Sequence, residues 1–222
     1  MKASLINVIL VHFIGLCVLA AQDAPSPRGF VRVLHAVSKG SGNLEVSIDG
    51  KPIRDGGYRL GDVTGGVPVA PGRCEISFHR EGVIDGKTRI TVVANETTTL
   101  IPFAEATKDE PPKWEIRILR LKQHDSETER TATFVSVADA PSVRVELMQL
   151  QKRWEPVDVP RLGFARTKIE RVKGYQAVRG KDGMLAEFPI GQTGNHVVVL
   201  HSDEKGKLHA VCFKDYKYLS TE

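Results

Sequence analysis

The chain of 222 residues predicts an all-β protein, two tandem antiparallel β-sandwich domains behind a signal peptide. Three observations carry that expectation. Short segments rich in Val, Ile, Thr and Leu alternate apolar with polar residues, the two-residue period of a strand with one buried face. Gly, Pro, Asn and Asp punctuate these segments at short intervals, and no window sustains a helical period. Stretches of the first half also recur, diverged, in the second.

Met1–Ala21 holds one charged residue, Lys2, then an apolar run that ends in the small pair Ala20–Ala21 before Gln22. A basic start, an apolar stretch and a small-residue exit form the pattern of a secretory signal peptide over residues 1–21. The expected localisation is therefore periplasmic or secreted; the alternative is a leader retained as an anchor. No later apolar run approaches the roughly 20 residues of a membrane-crossing helix, so no transmembrane span is expected after cleavage. Without Lys2 the balance is 30 basic against 27 acidic residues, a net +3 that argues against nucleic acid as a partner. Cys17 leaves with the leader, and Cys74 and Cys212 remain in a compartment that permits disulfides. Cys74 alternates with Ile76 and Phe78, and Cys212 lies between Val211 and Phe213. A single Cys74–Cys212 bridge and two buried free thiols are both open.

The first sandwich is expected over residues 29–106. Phe30–Ala36 reads as a strand, and Leu44, Val46 and Ile48 alternate with polar residues up to Asp49-Gly50, a pair that tight hairpins prefer. Val67 and Val69 lead to the turn Ala70-Pro71-Gly72, followed by strands at Cys74–His79, Lys87–Val93 and Thr97–Phe103. The charged segment 107–113 contains Pro111-Pro112, which neither a helix nor a central strand tolerates, and is expected to be the linker. The second sandwich then covers residues 114–219. Its strands are expected near Trp114–Leu119, Thr133–Ala138, Val143–Leu150, Lys168–Val172, Gln176–Val178, Met184–Phe188, Val197–His201 and Leu208–Phe213, with Lys122–Arg130 as a polar loop.

The repeat is visible twice. The segment 32–46 has the strand, small-residue turn and second strand of segment 133–145, and segment 91–101 parallels 188–200. Phe30-Val-Arg-Val-Leu-His-Ala36, Leu44 to Lys51 with its Asp-Gly-Lys hairpin, Gly61-Asp-Val63 and Val69-Ala-Pro-Gly72 resemble a widespread bacterial exported β-sandwich domain of unassigned function. Its usual Pro-x-Gly turn is here the shorter Pro71-Gly72. The leader, the tandem layout and the final hairpin, from Val197 to Lys214, also make the chain similar to the AlgF family of alginate biosynthesis. That resemblance implies a non-catalytic periplasmic adaptor accessory to exopolysaccharide O-acetylation. An adhesion-type module that binds carbohydrate or protein is the alternative.

No catalytic residue is assigned. Serine acyl-transfer chemistry needs a nucleophilic Ser on a sharp turn with a His and an acid in reach, but Gly61-Asp62-Val63 lacks the Ser and no Gly-x-Ser-x-Gly occurs. His196 and His201 fall on opposite faces of one strand, and a two-histidine pairing of His201 with His209 falls short of a zinc ligand set, so neither metal nor cofactor is expected. The residues singled out are basic. Arg161, Arg166, Lys168, Arg171, Lys173, Arg179 and Lys181 face one acid, Glu170, within 21 positions, which leaves the rest of the exported chain slightly acidic. Such a cluster fits an anionic polysaccharide, an anionic membrane surface or the envelope proteins that modify a polysaccharide; a solvated, aggregation-resistant edge strand is the simpler explanation.

Overall fold

The computed structural model describes residues 27–126, 129–170, 173–190, 194–215 and 217–221. The expected signal peptide, residues 1–21, lies outside them, as does Arg171. The described chain is nearly all strand, and none of its helices is long and apolar enough to cross a membrane. In order, β1 is Gly29–Val33, β2 Ser41–Ile48, β3 Lys51–Pro52, β4 Val67–Val69, β5 Gly72–Glu81, β6 Gly86–Val92, β7 Thr97–Ala106 and β8 Trp114–Ser126. Then follow β9 Arg130–Ser136, β10 Ser142–Met148, β11 Trp154–Pro160, β12 Phe164–Lys168, β13 Tyr175–Gly180, β14 Gly183–Pro189, β15 Gly194–Ser202, β16 Leu208–Asp215 and β17 Lys217–Thr221.

The strands form two sandwiches of the same topology. In the first, the sheet β3-β2-β5-β6 faces β4-β1-β7-β8; in the second, β11-β10-β13-β14 faces β12-β9-β15-β16. Each strand of the first thus has its counterpart eight strands later. Between these strands pairing is antiparallel except that β1 runs parallel to β7 (Phe30 opposite Thr97) and β9 parallel to β15 (Thr131 opposite Asn195). At the β2–β3 hairpin Asp49 (φ 48°) and Gly50 (φ 76°) are both left-handed, the backbone a type I′ turn demands and the reason for Asp-Gly there.

Three cores stack between four layers. Val31, Leu100 and Ala104 of one sheet pack on Val46, Ile76 and Phe78 of the other in the first sandwich. Phe134, Val198 and Leu200 pack on Val145, Leu147 and Val178 in the second. The third core is the seam between them, where Ile101, Phe103, Leu119 and Leu121 meet Val135, Val197 and Val199. The period-two alternation of side chains accounts for this: on β7 and β15 both rows are apolar, so one row fills a sandwich core and the other fills the seam. Ion pairs run across the seam: Arg32 to Asp215 (2.7 Å), Arg161 to Glu105 through two 3.1 Å bonds, and Arg80 to Glu204 (3.2 Å).

The domain boundary expected at 107–113 is corrected by the pairing. Residues 107–113 are a hairpin connection closed by the Thr107 N–H donating to the Lys113 carbonyl, and β8 pairs antiparallel with β7 from Thr99–Leu121 to Ala106–Trp114. Two prolines end a strand as well as they break a domain, so Trp114–Ser126 completes the first sandwich and the second begins at β9. The expected polar loop at 122–130 is strand through Ser126 because β17 returns from the C-terminus to pair with β8. Strand β11 escapes sequence reading because Pro156 and Pro160 argue against a strand; it lies at a sheet edge, where proline is tolerated. The Cys74–Cys212 bridge is also corrected. Both thiols are free, Cys74 in the first core and Cys212 against the second, on opposite sides of the seam.

Candidate functional site

The seven basic residues do not gather. Arg161 is at the seam, its guanidinium bonded to Glu105 and to the Ala138 carbonyl (3.1 Å). Arg166 and Lys168 stand exposed on edge strand β12, with Lys168 paired to Glu129 at 2.9 Å. Arg179 lies in the other sheet, paired with Glu146 and stacked 4.2 Å over the Trp154 ring. Lys173 is exposed before β13. Crowding in sequence does not become crowding in space because this stretch crosses between two sheets, and local carboxylates answer several of the charges.

Lys181 is different. With Asp182 it forms the two-residue tip of the β13–β14 hairpin, at the rim of a cleft of about 580 Å³ at one end of the second sandwich. Two hairpins and a turn that crosses between the sheets build that cleft. The β9–β10 turn supplies Asp139, the β13–β14 hairpin supplies Lys181 and Met184, and the β15–β16 hairpin supplies Lys207 and His209, while Arg144 stands on β10. Val143, Leu185 and Leu208 give it an apolar lining that continues the second core. Among the described residues neither Lys181 nor Lys207 has a carboxylate partner within salt-bridge distance, whereas Arg144 approaches Asp158 at 3.8 Å.

The β15–β16 loop is fixed by one side chain. Asp203 Oδ1 accepts the N–H groups of Lys205 (2.8 Å) and Lys207 (2.9 Å), and Oδ2 is 3.0 Å from His209 Nε2. The bond to His209, followed by those backbone donors, holds the Asp203 carboxyl down to about 2. Gly206, at φ +78°, supplies the left-handed residue that closes the turn. This register sets His201 opposite His209, with ring centroids 5.8 Å apart and nearly parallel. His201 is buried, and its Nδ1–H donates to the Ser202 carbonyl at 3.1 Å.

Behind this hairpin, at the seam, lie His35 and Arg80, both almost fully buried. His35 Nδ1 accepts the Val37 N–H at 3.1 Å, so its proton resides on Nε2, which has no hydrogen-bond partner among the described residues. Burial above all, then the Arg80 charge and His201, push its pKa from 6.5 down to about 3. Arg80 donates to the Val37 carbonyl and to Glu204, so its charge ties β5 of the first sandwich to the same β15–β16 loop.

The fold is a tandem double β-sandwich, and the cleft at the end of the second sandwich sets Arg144, Lys181 and Lys207 beside Asp139 and Asp182 around an apolar lining. No family model matches the chain, and no curated protein matches it significantly. Sequence reading found Lys181 but missed Arg144 and Lys207, which stand 37 residues before it and 26 after. The signal for Lys207 was the turn Asp203–Gly206, which fixes where the hairpin ends.

Proposed function

We propose that the protein is an exported, non-catalytic adaptor of the bacterial envelope that binds an acidic ligand, foremost an anionic polysaccharide, in the end cleft of the second sandwich. It would serve as an accessory to exopolysaccharide modification such as O-acetylation, beside the envelope proteins that carry out that chemistry. The observation that carries the reading is the pair Lys181 and Lys207, two cations on separate hairpins that have no carboxylate within salt-bridge distance among the described residues and that line one cleft with an apolar floor. Uronate polymers present that combination: a carboxylate on each sugar and apolar ring faces between them. Electrostatic contact at an exposed rim is screened by salt, with a Debye length of about 10 Å at 0.1 M.

Binding of a polyuronate to the purified protein by calorimetry tests this. Measurable binding at low salt is expected, weakened by 0.5 M NaCl and weakened at least tenfold by Lys181→Glu combined with Lys207→Glu. Binding that neither salt nor the charge reversals change would refute the cleft as the site. Crosslinking in the native host then separates the adaptor from a free-standing adhesion module, because an adaptor is captured with the polysaccharide-modifying proteins.

A further inference from the structure

The repeat makes β8 and β16 equivalent, the last strand of the inner sheet in each sandwich. The outer edge of β8 carries an added antiparallel strand, β17, with Thr221 opposite Leu121. The outer edge of β16 has no such strand among the described residues. That difference exposes a row of backbone donors and acceptors, which proteins ordinarily protect with proline, charge, bulges or brevity.

The other outer edges carry those devices. Proline interrupts β3, β4 and β11, and basic residues line β6 and β12. The edge strand β14 ends at Pro189 and pairs with β13 across a register shift, and the edge strand β17 is five residues long and shifts register against β8. By contrast β16 has eight residues, no proline, no break in its register with β15, and an uncharged run Ala210-Val-Cys-Phe213. Every residue from Leu208 to Phe213 is half-buried, while β15 beside it is buried throughout.

We infer that β16 is a self-association edge, at which a second copy of this chain adds its own β16 antiparallel across a two-fold axis. The inner sheet would then run continuously through both copies. A two-fold normal to the sheet keeps each face on its own side, so the row of odd-numbered residues must meet itself. The register centred on Val211 satisfies this. It sets Val211 against Val211, His209 against Phe213, Ala210 against Cys212 and Lys207 against Asp215, with no like charges opposed. Self-pairing also closes both exposed ladders in one step, whereas a foreign strand would leave its own far edge open. Lys207 belongs to both this register and the polysaccharide cleft, so Lys181, off this strand, separates the two: Lys181→Glu alone should weaken polyuronate binding and leave the dimer mass unchanged.

Light scattering on the full chain, expressed for export and purified, should give twice the mass of one chain between 10 and 100 μM. Val211→Lys, which opposes two ammonium groups at the axis, should halve that mass. Should that variant fail to fold, register-specific crosslinking decides: Val211→Cys with Cys212→Ser should oxidise to a covalent dimer, and Lys214→Cys with Cys212→Ser should not. A wild-type mass of one chain throughout that range, or a dimer that Val211→Cys does not crosslink, would overturn the inference.

Discussion

Replacing His35 by Asn should remove a specific part of the protein's sensitivity to acid. The unfolded imidazole takes up a proton near pH 6.5, but the folded one does so only near pH 3, because it is buried and faces Arg80 and His201. The unfolded state therefore binds more protons below pH 6.5, and stability falls as the pH falls through that window. Each pH unit below 6.5 removes about 1.4 kcal/mol, so His35 alone accounts for about 2 kcal/mol between pH 7 and 5, and about 5 kcal/mol at its limit near pH 3. For a chain of this size, 2 kcal/mol corresponds to about 4–8 °C in Tm. Asn keeps an acceptor for the Val37 N–H, as Nδ1 does at 3.1 Å, and has no proton to gain. Urea denaturation of both proteins at pH 7, 6 and 5 reads the difference. The variant pays a packing cost at every pH, but its loss from pH 7 to 5 should be smaller than that of the wild type by about 2 kcal/mol. His201, whose pKa burial also lowers, remains in both proteins. Equal losses over that range would refute a neutral, buried His35 at the seam.

Three further outcomes follow from the cores. Phe134→Ala empties a fully buried site in the second core and should cost about 3–5 kcal/mol in urea denaturation; a loss under 1 kcal/mol would contradict the packing described. With both cysteines free, unreduced and denatured protein lacking its leader should titrate two thiols, and reductant should leave Tm unchanged. In the folded state Cys212 should react slowly with alkylating reagent at pH 8, since burial pushes its pKa up to about 12.

The strands legible in the sequence are those with one buried face, such as β5, where Cys74, Ile76, Phe78 and Arg80 are buried and the residues between them are not. Asp49-Gly50 marked its hairpin for the same local reason, a backbone that only certain residues adopt cheaply. Strands β11 and β17 were illegible because their pairing partners, not their own composition, make them strands. Proline at Pro156 and Pro160 would exclude a central strand, and only the sheet order shows that β11 is an edge. The candidate site divides in the same way. Lys181 stood out within a basic run and Lys207 followed a legible turn, while Arg144 had no feature to single it out until two hairpins and the β9–β10 turn met at one end of the sandwich.

By itself the sequence determined that the chain is all-β, that it is a repeat and where most of its turns fall, because alternation and turn chemistry are properties of neighbouring residues. Tertiary structure alone decided where one sandwich ends and the next begins, which of the charges are answered by carboxylates, and that two thiols in strands of similar pattern never meet. Those outcomes depend on contacts between residues 100 or more positions apart, as Arg32 with Asp215 and Arg80 with Glu204 make. The apolar rows on both faces of β7 and β15 are the bridge between the two levels. They are written in the sequence as unbroken hydrophobic runs, and only the stacking of four layers gives each row something to bury against.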